Sequence, residues 1–124
     1  TGALPGRLVA VDGEPVQPLP GSRFGVAMGQ RLDIEVEVPG GGGAFPILAL
    51  REGERERTGL ILATPGATVT RLSGLSEAEH PAFGGDVSQE GALRAIGALP
   101  DRAATVQTML TLGGSMVPYV WTIN

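Results

Sequence analysis

The sequence predicts an all-β fold, a Greek-key sandwich or barrel with at most one or two short helices. Three observations predict it. Leu32, Ile34, Val36 and Val38 alternate strictly with Arg31, Asp33, Glu35 and Glu37. Alternate side chains of a strand point to opposite faces, so this stretch is a half-buried strand with one apolar and one charged side. The 20 glycines and 10 prolines among 124 residues supply many turns. The remaining apolar residues fall in short runs bounded by turn signals, as short strands require.

The elements follow in order. After a lead-in at Thr1 to Gly6, Arg7-Leu8-Val9-Ala10-Val11 reads as a strand buried on both faces. Asp12-Gly13 is a turn, since both residues tolerate positive φ. Pro15, Pro18 and Pro20 keep the next segment extended. Phe24, Val26 and Met28 alternate with Arg23, Gly25 and Ala27, and Gly29-Gln30 then joins this strand to the one at 31–38 as a hairpin. Pro39 and Gly40 to Gly43 end it. Residues 45–51 and 56–63 form a second hairpin, with the mixed charges of Arg51 to Arg57 at its solvated tip. Ser76 with Glu79 fits a capping box, with Pro81 stopping any helix by His80; Asp86 with Gln89 is a second box. Leu93, Ile96 and Leu99 recur at helical spacing, although Gly91 and Gly97 each cost roughly 1 kcal/mol there. Residues 64–103 otherwise read as a long connection. The chain becomes strand-like again over 105–112, turns at Gly113-Gly114-Ser115, and continues as a strand over 117–123. The expected core is Leu8, Val9, Val11, Phe24, Val26, Met28, Leu32, Ile34, Val36, Val38, Ile47, Leu48, Leu60, Leu62, Leu110, Leu112 and Trp121.

Composition narrows the function classes. The length suits one core. The net charge is −4 and all nine basic residues are arginine, a balance without the basic face that nucleic acid needs. No apolar run approaches the ~20 residues of a membrane-crossing helix. Without cysteine there are no disulfides, thiol chemistry, Fe–S clusters or zinc fingers of this chain's own. A chain that starts at Thr1 reads as a processed or excerpted piece.

The chemistry-bearing residues are few. His80 is the one histidine, so the chain alone cannot build a blue-copper or multi-histidine copper site. Ser22, Ser73, Ser76, Ser88 and Ser115 are candidate nucleophiles, but no Gly-x-Ser-x-Gly elbow occurs. His80 beside Pro81 reads as an exposed loop residue. Glu35 and Glu37 share a strand face at about 7 Å, a separation used by inverting glycosidases; alternating charges are also what any solvent face shows. Arg31 and Asp33 can pair on that same face for about 0–1 kcal/mol. Gly40 to Gly43 lack a following Lys-Ser or Lys-Thr and read as a surface loop, not a phosphate cradle. No catalytic, cofactor-binding or metal-binding residue is assigned.

Two stretches carry a resemblance. Val11-Asp12-Gly13-Glu14-Pro15-Val16, then Met28-Gly29-Gln30-Arg31-Leu32-Asp33-Ile34 running to Val38-Pro39, resembles the second, cupredoxin-like domain of bacterial three-domain multicopper oxidases. The tail Leu110-Thr111-Leu112-Gly113-Gly114-Ser115-Met116, with Tyr119-Val120-Trp121-Thr122-Ile123-Asn124, resembles the segment leading into the third domain. The match covers both ends of the chain and fades across 64–103. The resemblance implies a cupredoxin-like fold, with residues 1–104 a partial middle domain, including a variable linker at about 64–104, and 105–124 a strand segment entering the next. Such oxidases oxidise phenols or metal ions and reduce O2 to water with copper held by the first and third domains. The middle domain usually holds no copper and keeps its neighbours in register, so the implied partners are the flanking cupredoxin domains and the implied location is periplasmic or secreted. No copper ligand carries over to any residue here. The family's strand pair ahead of Asp12-Gly13 is missing, which leaves an open sheet edge. Strand 105–112 or 117–123 is expected to fill it, within the chain or by exchange in a homodimer. The rival is a free-standing β-sandwich module binding a polypeptide or sugar, which an exposed aromatic patch favours. A hydrolase using His80 or Glu35/Glu37 ranks third.

Overall fold

A computed structural model describes residues 4–124 apart from Asp86 and Ala98. The fold is all-β and antiparallel, with seven strands and one short helix among the described residues. Strand β1 (Gly6–Val11) lies at the centre of a three-stranded sheet, between β2 (Glu14–Gly21) and β3 (Leu32–Val36). Asp12 and Gly13, at φ 52° and 91°, make the tight turn expected between β1 and β2. Positive φ at both central residues matches the twist of the flanking strands. The three prolines fall in β2, an edge strand, where a missing N–H is tolerated. Its outer side is met by the backbone of residues 94–96: Gln17 N donates to Arg94 O (2.7 Å) and Ile96 N to Pro15 O (3.4 Å).

The 23–28 segment is not a strand, and β3 pairs with β1 instead. Once β2 holds one edge of β1, the other edge offers β3 a full ladder. The turn at Gly29-Gln30 does form, with Gln30 N donating to Ala27 O (3.1 Å), but it leads from a loop into β3.

Strands β4 (Ala44–Leu50) and β5 (Arg57–Ala63) form the expected second hairpin. At its tip Arg51 lies 4.0 Å from Glu54 and 3.9 Å from Glu56, loose exposed pairs worth about 0–1 kcal/mol. Gly59 stands at φ 156°, where an added Cβ would come within 2.1 Å of Ile47 O, so only glycine allows the two strands to approach this closely.

The long connection is tied to that hairpin. Arg57 N donates to Gly74 O (2.9 Å), Ser76 N to Arg55 O (2.9 Å), Gly53 N to His80 O (2.8 Å) and His80 N to Glu54 O (2.8 Å). Residues 76–79 do not start a helix; the Ser76 N–H is committed to the hairpin, as is His80 just beyond. The one helix, α1 (Ser88–Ala92), begins at Val87 with no side-chain cap. Asp86, the expected cap, lies outside the described residues. Residues 93–97 do not continue the helix, because Arg94 and Ile96 serve the edge of β2.

The tail folds on itself. β6 (Leu112–Met116) pairs with β7 (Tyr119–Ile123) around a Val117-Pro118 turn with a cis peptide. The turn expected at Gly113-Gly114-Ser115 is strand instead. Residues 105–110 carry no strand, and only Thr111, doubly bonded to Asn124, extends the ladder. The pair forms its own sheet and does not fill an edge of the β1 sheet within the chain.

The buried core is much smaller than expected. Leu8 is fully buried, with Ala10 and Val16 beside it, so of the 17 apolar residues expected inside, Leu8 alone is fully enclosed. Val9, Val11, Phe24, Leu32, Val36, Leu48 and Leu62 are half-buried, while Val26, Met28, Ile34, Val38, Ile47, Leu60, Leu110, Leu112 and Trp121 are exposed.

Candidate functional site

The candidate catalytic residues do not converge on one centre. Ser22 follows β2, Ser88 opens α1, and Ser115 lies in β6 with its hydroxyl engaged by Val117 N (3.2 Å) and O (3.0 Å). Ser73 Oγ accepts from Leu75 N (3.1 Å). Glu35 is bound to Arg7 at 2.9 Å across β1 and β3, both side chains more than half exposed. Glu37 lies beyond the end of β3. Arg31 does not join Asp33; its guanidinium donates to Asp12 O (3.1 Å) and its N–H to Asp12 Oδ1 (2.8 Å).

One serine and the histidine do meet. Ser76 Oγ lies 3.3 Å from His80 Nε2, and both residues are half-buried. The hydroxyl also contacts Arg55 O (3.2 Å) and Ala78 O. Two carbonyls compete for its one proton, so the imidazole is a poor base for it in this arrangement. The contact closes the 76–80 turn against the β4–β5 tip. Among the described residues no three of His, Asp and Glu gather closely enough to hold a metal ion. A shallow open cleft of about 400 Å³ runs between β5 and the 71–74 segment, lined by Leu60, Thr58, Arg71 and Ser73. Arg57, on its wall, gives its Nε to Ser73 O (2.9 Å).

What the fold does present is bare apolar surface. The chain exposes 10,080 Å², whereas a compact monomer of 12.7 kDa exposes about 6,200 Å². Part of the exposed apolar surface lies on strands, at Leu60, Leu112, Tyr119, Trp121 and Ile123 among others, and part on the connecting segments, at Met28, Leu99 and Met109. In the β4–β5 hairpin, backbone hydrogen bonds join Gly43 to Thr64 and Arg51 to Glu56. By alternation, Ala44, Pro46, Leu48 and Leu50 turn their backbone outward, an open and uncharged edge. Pro46 removes one donor from that edge, a common guard against unwanted pairing.

The β6–β7 hairpin is barer still. Its non-hydrogen-bonded pairs are Leu112/Ile123, Gly114/Trp121 and Met116/Tyr119, so these side chains share one face. The Trp121 ring covers Gly114, at 2.9 Å from where a Cβ would stand, and packs edge-on against Tyr119 at 5.9 Å. Tyr119 and Trp121 remain 68% and 70% exposed. The opposite face carries Thr122, Ser115 and Val120. Sequence reading missed this face because Gly113-Gly114 resembles a turn; the signal was the Tyr-x-Trp alternation opposite Gly-x-Met.

It also missed the role of Gln89, the one buried polar side chain among the described residues. Its amide accepts from Gly25 N (2.9 Å) and donates to Gly25 O (2.8 Å), as a neighbouring strand would. A glutamine 64 residues away in the chain thus takes the place of the strand partner expected for 23–28.

No family model, curated protein or solved structure matches this chain.

Proposed function

We propose that this chain is a non-catalytic framework domain, the copper-free, cupredoxin-like middle domain of a multicopper oxidase, whose flanking domains cover its bare apolar sheets. One observation carries the framework reading: the exposed surface exceeds that of a compact monomer by more than half. The strand residues Leu60, Leu112, Trp121 and Ile123 are part of that surface, and contiguous apolar patches mark surfaces that other protein covers. The oxidase assignment rests on the two motifs quoted above. The two parts of the first stretch meet in space, since Asp12 and Arg31 exchange backbone and side-chain hydrogen bonds, while the tail forms its own sheet. Copper, oxygen reduction and a periplasmic or secreted setting belong to the parent in this reading.

The test compares the chain alone with the product of the whole reading frame that encodes it. The chain alone is expected to bind no copper and oxidise no phenol. The whole product is expected to carry copper and the intense blue absorbance of thiolate-bound copper. A whole product without copper, or phenol oxidation by the isolated chain, overturns the proposal.

The exposed Tyr119–Trp121 pair favours a second reading, a module that binds a polypeptide or sugar on aromatic side chains. Quenching or shifting of Trp121 fluorescence by an added oligosaccharide or peptide is its minimum support.

A further inference from the structure

The β6–β7 hairpin is unfinished in three ways. Leu112, Met116, Tyr119, Trp121 and Ile123 stand on one face and keep 77%, 75%, 68%, 70% and 63% of their surface exposed. Both outer edges are open, because the inward rungs fall at Thr111/Asn124 and then every second residue. A two-stranded hairpin on its own is marginal in water and needs a third strand or a packed face.

The occupant must be apolar and neutral. Residues 103–124 contain no Asp, Glu, Arg, Lys or His, in a chain whose net charge is −4. Two like-charged chains repel elsewhere, but approach at this segment meets no charged side chain. A second copy offers the same neutral face at equal concentration. The area also fits. At on the order of 200 Å² for a full-sized side chain, five at roughly 70% exposure present about 700 Å², close to the ~800 Å² per partner of a standard stable interface. The middle rung, Gly114/Trp121, is low on the glycine side and tall on the indole side. A two-fold axis parallel to the strands sets Trp121 of one copy over Gly114 of the other and keeps Tyr119 and Met116 at one rim, Leu112 and Ile123 at the other.

We propose that this chain self-associates as a two-fold dimer through the Leu112, Met116, Tyr119, Trp121 and Ile123 face of the β6–β7 hairpin. The proposal goes beyond the framework reading, since it assigns the β6–β7 face to a second copy and leaves the other apolar surfaces to the flanking domains, and it does not depend on copper.

The test uses the 124-residue chain. Sedimentation is followed from sub-micromolar to ~100 µM, since interfaces of this size span micromolar affinity and tighter. Emission from Trp121, the one tryptophan, is read on the same samples. The expected result is a monomer–dimer transition with a blue shift of Trp121 emission at the same midpoint. Tyr119→Arg, which places a cation on the face, is expected to raise the midpoint at least tenfold. Val120→Thr, on the opposite face, is expected to leave it within a factor of three. A chain that stays monomeric at ~100 µM overturns the proposal. So does association that leaves Trp121 emission solvent-like, assembly beyond the dimer, or equal loss in both variants.

Discussion

Removing the Gln89 amide tests how the fold holds a segment that alternation alone marks as strand. Gln89→Ala deletes both hydrogen bonds to Gly25, at 2.9 and 2.8 Å. Each contributes about 0.5–1.5 kcal/mol net, so the expected loss is about 1–3 kcal/mol. Gly25 is half-buried and lies close under the Phe83 ring, which limits how far water can replace the lost amide. That loss is a large share of any small domain's stability. Gln89→Glu sharpens the test. Its carboxylate keeps the acceptor for Gly25 N but sets a second oxygen against Gly25 O. Protonation restores a donor, so the folded state raises this carboxyl's pKa above the ~4.3 of an unfolded glutamate. The penalty against the unmodified chain is then smallest below about pH 4 and grows as pH rises past it. Urea unfolding followed by far-ultraviolet circular dichroism gives the stabilities, and amide exchange at Gly25 gives the local effect. If Gln89→Ala unfolds at the same urea concentration and Gly25 exchanges no faster, the account of this segment is wrong.

Other perturbations have equally definite expectations. Leu8→Ala empties the one fully buried large side-chain site among the described residues and is expected to cost about 2–5 kcal/mol in denaturant titration. Gly59→Ala drives a Cβ to 2.1 Å from Ile47 O and is expected to cost on the order of 2 kcal/mol or more; amide exchange should accelerate across β4 and β5 and not across β1. Arg7→Ala removes an exposed ion pair with Glu35 and is expected to cost no more than about 1 kcal/mol, with the difference shrinking in salt.

Local chemistry was legible in the sequence. Asp12-Gly13 dictates its turn through backbone conformation alone, and prolines at 15, 18 and 20 suit an edge strand and no other. The β4–β5 hairpin follows from two apolar runs around a charged tip. What failed depended on partners far away in the chain. Alternation at 23–28 says which side chains share a face, but not that Gln89 would occupy the ladder position. Gly113-Gly114 carries a turn signature, yet Trp121 across the ladder fills the space above Gly114 and keeps it in strand. The expected capping box at Ser76 lost to the β4–β5 tip, where Arg55 O takes the Ser76 N–H. The core was overestimated for a related reason. Periodicity identifies apolar faces, and at Met28, Leu60 and Trp121 those faces have no covering layer in this chain. For the candidate site, the sequence placed no ligand and no nucleophile. It could not show that Ser76 and His80 touch, or that Tyr119 and Trp121 form one patch.

The framework account is tested most directly by sequencing the gene on both sides of the segment that encodes this chain. The account expects His-x-His motifs upstream of Thr1 and His-x-x-His-x-His with His-Cys-His motifs downstream of Asn124. Those residues would supply the copper ligands that one histidine and no cysteine cannot. A reading frame that opens near Thr1 and closes near Asn124 would contradict it, and the exposed aromatic face would then stand as the binding surface of an independent module.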